Sequence, residues 1–234
     1  MLPQNDPFFI ENAYEPLSWW QSWTSALFKP SVATYERIAN DQQASTIRAA
    51  MWIFFASLVG LFISIPLSLA FNPSLITQLQ QATGEIGSAL TAALGLMLCV
   101  VPFSAAISTF GMIISTALIQ LTARLLGGKG TFEGAFNALA AITAPITPIT
   151  SLLGAIPVVG GCLVLPIGLY VLVLDVMAVK AANRFGWGAA IGAILLPGLV
   201  IGGLCCCAAF ALASVMGVAL QDLVNQGLIP MPQP

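Results

Sequence analysis

A stretch from Ala49 to Phe71 contains no charged residue and is made almost entirely of apolar side chains. Because a helix rises about 1.5 Å per residue and the hydrocarbon core of a bilayer is ~30 Å thick, about 20 apolar residues are enough to cross a membrane. In the whole chain only 7% of the residues are charged, whereas soluble domains carry about 25%. The chain is therefore predicted to be an integral membrane protein.

Four further apolar stretches are predicted to span the membrane. The run from Ala89 to Leu126 is too long for one upright crossing and too short for two crossings joined by a loop, which predicts one long helix that extends out of the bilayer. The remaining spans are predicted at Gly134 to Leu153, Cys162 to Val179 and Trp187 to Gly217. The predicted fold class is an all-α membrane protein with five transmembrane helices.

The Lys and Arg residues predict the orientation of these helices, because basic residues are retained on the cytoplasmic side of a membrane. All seven lie before the first span, between the second and third, or between the fourth and fifth. The segments on the opposite side, residues 72–88, 154–161 and 218–234, contain none. We therefore expect the N-terminus in the cytoplasm and the C-terminus outside.

Three regions follow from this orientation. Residues 1–47 are predicted to form a cytoplasmic N-terminal segment, residues 48–220 the five-span membrane domain, and residues 221–234 a short external tail. A cleavable signal peptide is not predicted, since the first basic residue is Lys29 and no apolar region follows the start of the chain.

Three tryptophans, Trp19, Trp20 and Trp23, follow or overlap a Ser-x-x-Gln sequence that is typical of a helix start. Tryptophan close to a span favours the headgroup layer, so these side chains are predicted to anchor an amphipathic helix of residues 18–28 on the membrane surface. A second short helix is predicted from about Ser31. In the alternative interpretation, the aromatic side chains pack on the helix bundle.

The polar turn between the second and third spans reads GGKGTFE from residue 127 to residue 133. Its first two glycines predict the end of one helix, and Thr131 with Glu133 predicts the start of the next. A phosphate-binding loop would need Gly at 123 and Ser or Thr at 130, where the chain has Ala123 and Gly130. A tight cytoplasmic turn is therefore favoured, with Lys129 as a candidate functional residue.

Asp175 is an acidic residue well inside a predicted span. A charged carboxylate at that depth is costly unless a partner or water relieves it, which makes Asp175 a candidate for a substrate or ion site. Lys180 follows about one turn later on the same helix, so an ion pair between the two side chains, or a helix-packing contact, is the alternative.

Proline lies in or beside every predicted span, which predicts kinked helices. Each proline leaves the carbonyl four residues earlier without its usual N–H donor. The carbonyl of Ala193, four residues before Pro197, is therefore expected to need another donor. The densest case is the third span, where Pro145 and Pro148 stand among threonines. A broken third helix is predicted there, which resembles the interrupted helices that bind ions in transporters.

Glycines in the fifth span are spaced for close helix packing. Two Gly-x-x-x-Gly pairs let a neighbouring backbone approach, and they are Gly188 with Gly192 and Gly198 with Gly202. The partner helix is expected in the same chain, with a second copy of the chain as the alternative.

The composition argues against several other kinds of site. The chain has no histidine, and its five cysteines lie in or beside apolar spans, where they are expected to be small packing residues. Cys205 to Cys207 are consecutive, and successive helix positions point about 100° apart, so they cannot converge on one metal ion. No metal, cofactor or catalytic set is predicted, and a net charge of −2 does not suggest nucleic acid as a partner.

Several motifs occur together: Phe-Lys-Pro at residues 28–30, GGKGTFEGAFNALA at residues 127–140, and a stretch from Asp175 to Pro197 that includes KAANRFGWGAA. Over about residues 19–215 the chain resembles bacterial members of the Yip family of Ypt/Rab-interacting membrane proteins. The resemblance implies a five-helix membrane domain with a cytoplasmic N-terminus in the bacterial inner membrane. Eukaryotic members bind prenylated small GTPases and shape or sort membranes, but the N-terminal segment here has no evident GTPase-binding module.

The leading functional hypothesis is a non-enzymatic membrane scaffold or interaction protein, such as a subunit or assembly partner of a membrane complex. Its expected partners are the lipid bilayer and either another protein or a second copy of the chain. The alternative is a transporter or channel for a small solute or ion that uses Asp175 and the broken third helix.

Overall fold

The computed structural model describes residues 16–72, 74, 77–78, 81, 86–157, 159–200 and 202–203. Within these residues the chain forms helices and no strand. The helices are α1 (Trp19–Phe28), α2 (Val32–Ala39), α3 (Thr46–Phe71), α4 (Ile86–Leu125), α5 (Phe132–Gly154), α6 (Val159–Asn183) and α7 (Trp187–Val200).

Four of the described helices are long and apolar enough to cross a membrane. They contain Thr46–Phe71 in α3, Met97–Leu125 in α4, Phe132–Gly154 in α5 and Gly160–Asn183 in α6. The first four predicted spans are therefore confirmed as helices, and the second is one continuous helix of 40 residues. The end of the predicted fifth span and the external tail lie outside the described residues, so the count of five and the position of the C-terminus stay predictions.

The described residues fall into two units, one that ends at Ile194 and one that begins at Leu195. In the second unit, the described residues 195–200 and 202–203 are helical. All contacts described below belong to the first unit.

Side-chain hydroxyls begin α1, α2 and α5 at the predicted positions, and α3 begins three residues before its predicted start. The Ser18 hydroxyl accepts from the N–H of Gln21, whose side chain accepts from the N–H of Ser18, so the predicted capping box is confirmed. The Thr131 hydroxyl accepts a backbone N–H at 3.1 Å at the start of α5. Ser31 and Ser45 cap α2 and α3 in the same way.

The end of α4 is the predicted glycine turn. Gly127 has φ +89°, in the left-handed region that favours glycine. Its N–H bonds to the carbonyl of Arg124 at 3.1 Å. The next N–H, that of Gly128, bonds to the carbonyl of Ala123 at 2.8 Å. Together these bonds form a Schellman cap, which ends α4 and turns the chain towards α5.

Helix α5 runs without interruption through Pro145 and Pro148, so the prediction of a broken third helix is wrong. The fixed φ of proline is compatible with a helix, and each ring removes only one donor, so the flanking turns keep their bonds. The hydroxyls of Thr147 and Thr150 also bond to carbonyls one turn earlier, at 2.8 and 3.1 Å. A bend at these prolines stays a prediction.

Helix α5 lies at the centre of the first unit. In its most apolar stretch of 18 residues, 50% is buried inside the protein. The corresponding stretches are 22% buried in α3 and 17% buried in α4 and in α6. It contacts α3, α4 and α6, and also the two short helices α1 and α2. The outward faces of the other spans carry exposed apolar side chains, which suit a lipid surrounding.

Helices α3 and α5 lie close together at Gly60. A Cβ at this position would lie 2.7 Å from Oγ of Ser151 and 3.5 Å from Cα of Pro148. The two backbones can approach closely because Gly60 has no side chain. This contact was not predicted, since Gly60 stands alone in an apolar span without a second glycine at helical spacing.

Candidate functional site at the basic end of the bundle

The structure brings together helix ends that carry basic residues. We use the name basic end for the region where the α4–α5 turn meets the C-terminal end of α6, and the Lys and Arg residues of these segments are Arg124, Lys129, Lys180 and Arg184. The α4–α5 turn and the C-terminal end of α6 are in direct contact, because the N–H of Lys129 donates to the carbonyl of Asn183 at 3.1 Å. The two turns that the charge pattern assigned to one side are thus together, while the side of the membrane that they face stays a prediction.

Two glycines let the α4–α5 turn lie against the end of α6. A Cβ at Gly128 would lie 2.9 Å from Oδ1 of Asn183, and one at Gly130 would overlap the backbone carbonyl of Ala182. The side chain of Lys129, between these glycines, is exposed. The glycines therefore serve close packing of the turn, which agrees with the prediction of a tight turn.

A buried pair of amide side chains holds the same turn in place. Nε2 of Gln120 donates to Oδ1 of Asn183 at 2.9 Å and to the carbonyl of Gly130 at 2.8 Å. Nδ2 of Asn183 donates to the carbonyl of Val179 at 3.1 Å. Hydrogen bonds between buried groups are strong in a medium of low dielectric constant, so this pair joins α4, the turn and α6. This contact was not predicted, although Gln120 is a polar residue within an apolar run.

A hydroxyl supplies the donor that a proline removes. Oγ1 of Thr122 lies 2.9 Å from the carbonyl of Ala193, which stands four residues before Pro197. The single hydrogen of this hydroxyl is shared with the carbonyls of Leu118 and Ile119 in its own helix, at 3.0 and 2.9 Å. The expectation that this carbonyl needs another donor is therefore confirmed, and the bond joins α4 to α7.

Two tyrosine hydroxyls bind carbonyls in the last turn of α1, which have no donor within the helix. Tyr35 of α2 donates to the carbonyl of Ala26 at 2.8 Å, and Tyr170 of α6 donates to that of Leu27 at 2.6 Å. Burial raises the pKa of the Tyr35 phenol well above its usual value, and its interactions with Tyr170 and Asp175 act in the same direction. Tyr35 is therefore held in its neutral, hydrogen-bond-donating form.

Asp175 does not form the ion pair that was considered for it. Its Oδ1 is buried and has no hydrogen-bond partner among the described residues, while Nζ of Lys180 lies 4.9 Å from the ring centroid of Trp187. Five positions along a helix rotate a side chain by about 140° beyond a full turn, which separates the two charged groups. In the described part of the chain the ion pair is between Arg48 and Asp41, at 3.4 Å.

Arg48 ties the segment before α1 to the start of α3. Its Nη2 donates to the carbonyl of Leu17 at 2.7 Å, and its Nη1 pairs with Asp41. The guanidinium also lies 4.8 Å from the ring centroid of Trp52, a distance at which a cation and an aromatic face attract each other. Arg48 was expected only to help orient the chain as a positive charge, so its structural role was not predicted.

The three tryptophans of α1 divide between two environments. The ring of Trp23 packs edge to face against Trp52 of α3, with centroids 6.0 Å apart. Trp19 and Trp20 are 51% and 60% exposed. Trp23 thus packs on the bundle, as the alternative interpretation expected, and anchoring in the headgroup layer stays a prediction for Trp19 and Trp20.

The motif GGKGTFEGAFNALA also fixes α2 to α5. Nδ2 of the buried Asn137 donates to the carbonyl of Ile38 at 2.9 Å. A Cβ at Gly134 would lie 2.8 Å from the carbonyl oxygen of Ala39, so glycine at this position lets the end of α2 approach. Small and amide residues of the motif therefore act in helix packing.

The predicted packing glycines of the fifth span have few neighbours in the described part of the first unit. A Cβ at Gly192 would lie 3.4 Å from Cδ1 of Leu126, and one at Gly188 meets no described atom within 4 Å. Gly198 and Gly202 belong to the second unit. A helix contact that uses all four glycines stays a prediction.

The polar side chains that join segments of the first unit mainly bind backbone. The side chains of Tyr35, Gln120 and Asn137 each donate to a carbonyl of another segment, so they position helices. Within the residues that the structure describes, no group of three or more His, Cys, Asp or Glu is placed to hold a metal ion. Asp175 stands apart, as an acidic group in a span whose Oδ1 meets no partner there.

Four apolar helices of span length, three of which pack on the central α5, define a multi-pass α-helical membrane protein. The chain matches the Yip1 domain family over residues 24–218, which is most of its length, and it belongs to that family. The family inferred from the motifs is thus confirmed. Comparisons with curated proteins and with solved structures gave no match.

Proposed function

We propose that this protein is a non-enzymatic membrane scaffold that acts as a subunit or assembly partner of a membrane complex. The observation that carries the proposal is the attachment of α1 and α2 to the spans. Hydrogen bonds from Tyr35, Tyr170 and Asn137 to backbone carbonyls hold these two short helices in one arrangement. A surface that is already ordered binds a partner without the entropic cost of ordering its helices.

The chemistry of this surface suits a protein partner at the edge of the membrane. Trp20 and Phe28 are 60% and 79% exposed on α1, and the exposed Lys29 follows directly. Exposed aromatic side chains are enriched in the energetic centres of protein interfaces. The proposed partner therefore offers an apolar patch with acidic residues beside it, at the cytoplasmic face of a bacterial inner membrane.

Site-specific photo-crosslinking tests this proposal. A photoreactive amino acid at Phe28 should form a cross-link to one defined protein in native membranes. The matched control is Leu165, which is 70% exposed on the membrane-spanning helix α6 and should give cross-links to lipid. Two results together would count against a scaffold. Phe28 and Leu165 would give the same cross-linked products, and the chain would always purify alone in mild detergent.

A transporter or channel for a small solute or ion is the second candidate, and Asp175 favours it. Its buried Oδ1 lacks a partner in the described structure, and an acidic group in a span is typical of ion pathways. The continuous α5 removes the other feature that suggested transport. Flux measurements in reconstituted vesicles test the role of Asp175. If the wild type transports a solute or ion, Asp175→Asn should abolish that flux or change its pH dependence. Equal fluxes in wild-type and empty vesicles would exclude transport of the solutes used.

A further inference from the structure

The basic end carries positive charge that no acidic side chain neutralises. Its cations are Arg124, Lys129, Lys180 and Arg184, and in the described part of the chain none of them forms an ion pair with Asp or Glu. The segments that carry them, residues 124–130 and 180–187, contain no acidic residue. Glu133, in the first turn of α5, is the nearest acidic residue along the chain. The surface therefore has an excess of positive charge.

Backbone contacts hold these charges together. The N–H of Lys129 donates to the carbonyl of Asn183 at 3.1 Å, which places Lys129 beside Arg184, the next residue along α6. The N–H of Arg184 donates to the carbonyl of Lys180 at 2.9 Å. The side chains of Lys129 and Arg184 are exposed. Because the packed turns cannot move apart, the repulsion between these cations is best relieved by an anion that binds between them.

The ends of three spans meet at this surface, which places its cations at the level of the lipid headgroups. The apolar spans end at Leu125 in α4 and Asn183 in α6, and another begins at Phe132 in α5. Leu125 and Trp187 are 79% and 48% exposed beside the cations. Apolar side chains favour hydrocarbon and tryptophan favours the interface, while Lys and Arg at span ends extend to the phosphates. This combination suits a phospholipid better than a soluble anion.

Arg184 also has an unusual backbone conformation. Its φ is +54°, in the left-handed region, which is unfavourable for a residue with a Cβ and which glycine adopts without that cost. At the end of α4 the left-handed position is taken by a glycine, Gly127. Arginine thus has no backbone advantage at the end of α6, and a function of its charge accounts for its presence there.

We propose that the basic end binds an anionic phospholipid of the bilayer, with the lipid phosphate between Lys129 and Arg184. The other two cations, Arg124 and Lys180, add attraction at longer range, and an acyl chain lies against the span end at Leu125. Basic pockets between membrane helices are suited to acidic headgroups, and each Lys or Arg near the membrane surface contributes about fivefold in affinity. This site does not include α1 or α2, so it does not depend on the scaffold function.

Native mass spectrometry of the full chain in mild detergent tests the proposal. The probe is anionic dioleoylphosphatidylglycerol, and zwitterionic dioleoylphosphatidylcholine is its comparison. Lys129→Gln removes one charge and keeps the backbone N–H, and Arg184→Gly removes the other and suits the left-handed conformation. Lys29→Gln is the matched control, because it removes an equal charge from an exposed position after α1. We expect the affinity for the anionic lipid to fall about fivefold in each of the first two variants and to change less than about twofold in Lys29→Gln.

Thermal unfolding separates binding from folding. Arg184→Gly should keep or raise the melting temperature while it weakens binding, whereas a purely structural role of the arginine predicts a lower melting temperature with unchanged affinity. Lys129→Gln leaves every backbone contact in place, so it decides the case if Arg184→Gly folds poorly.

Four results would overturn the proposal. Equal binding of the two lipids by the wild type would mean general boundary lipid only, and equal losses in all three variants would mean attraction to net charge. Stabilisation by inorganic phosphate as large as that by the lipid would indicate a site for a free anion. An acidic protein that co-purifies with the wild type and is lost in Lys129→Gln, with lipid affinity unchanged, would assign the surface to a protein partner.

Discussion

The hydroxyl of Tyr170, on the membrane-spanning helix α6, donates a hydrogen bond of 2.6 Å to the carbonyl of Leu27, 143 positions earlier in the chain. Tyr35 makes the equivalent bond to the carbonyl of Ala26, from α2. The end of α1 is thus held by donors from two different helices. Because the last carbonyls of a helix lack internal donors, these two bonds satisfy groups that would otherwise need water.

Removal of either hydroxyl should loosen α1. Tyr35→Phe leaves a buried carbonyl without its donor and should lower the free energy of unfolding by about 1–2 kcal/mol, while Tyr170→Phe, at a more exposed site, should cost about 0.5–1 kcal/mol. Hydrogen exchange of the α1 amides, followed by mass spectrometry, should become faster in both variants. Unchanged exchange in α1, together with unchanged stability, would contradict a role for these bonds.

The raised pKa of Tyr35 predicts a loss of stability in alkali. An unfolded tyrosine ionises near pH 10, at about its ordinary pKa, whereas the folded protein keeps Tyr35 protonated to higher pH. Its contribution is therefore fully present below about pH 10 and decreases as the pH rises above that value. Unfolding free energies measured between about pH 9 and pH 12 should decline more steeply for the wild type than for Tyr35→Phe. Parallel curves would show that another group is responsible.

Gly130→Ala should destabilise the protein. The new Cβ overlaps the backbone carbonyl of Ala182, which cannot rotate away, so the turn must shift at a cost of about 1–3 kcal/mol. Gly111→Ala is the matched control, because a Cβ there meets no described atom within 4 Å. That variant should keep or slightly raise the stability, since alanine is the better helix former. Equal losses in both variants would show that the contact with Ala182 does not matter.

The bond between Gln120 and Asn183 should appear as a coupling energy. Gln120→Leu, Asn183→Leu and the double variant form a mutant cycle, and residues in direct contact usually couple by about 0.5–3 kcal/mol. We expect the double variant to lose less stability than the sum of the two single variants. Additive losses would indicate that the two amides contribute independently. Unfolding in mixed detergent micelles provides the measurement.

The orientation of the chain can be tested by cysteine labelling in intact cells, after the native cysteines have been replaced. If basic residues orient the spans, a cysteine at Gln80 or Gln233 should react with a membrane-impermeant reagent, and one at Lys129 should not. Lys129 suits this test because its side chain is exposed, whereas a side chain at Gly130 would disturb the turn. Gln80 and Gln233 lie outside the described residues.

Two other labelling results would contradict the predicted topology. Labelling at Lys129 but not at Gln80 would invert the orientation. Labelling at Gln80 without Gln233 would indicate an even number of crossings, which would place the error in the count of the later spans.

Helix capping shows which local features could be predicted from the sequence. The start of α1 at Ser18 and that of α5 at Thr131 depend on hydroxyls that bond within four residues. The end of α4 at Gly127 depends on a left-handed glycine. Such features involve only neighbours in the chain, so residue types at fixed spacing are enough to predict them.

The candidate site was predicted less completely. The sequence predicted the tight GGKG turn and its place on the same side of the membrane as the second basic turn, but it could not show that the two turns are in contact or that Gly130 lies against Ala182. Asp175 was correctly singled out as an ionisable group in a span, yet the proposed pair with Lys180 is absent because the helix turns the two side chains apart. The role of Gln120 was not foreseen, since its partner Asn183 is 63 positions away.

The sequence by itself determined the membrane class, the first four helical spans, the family and most helix boundaries. These properties follow from apolar run length, charge and short-range hydrogen bonding, which are local. Only the tertiary structure decided that α5 is the central helix, that Tyr170 binds Leu27, and that the two basic turns are in contact. Each of these depends on how distant segments pack in three dimensions, and many packings are compatible with the same apolar spans because lipid and protein interior are similarly apolar.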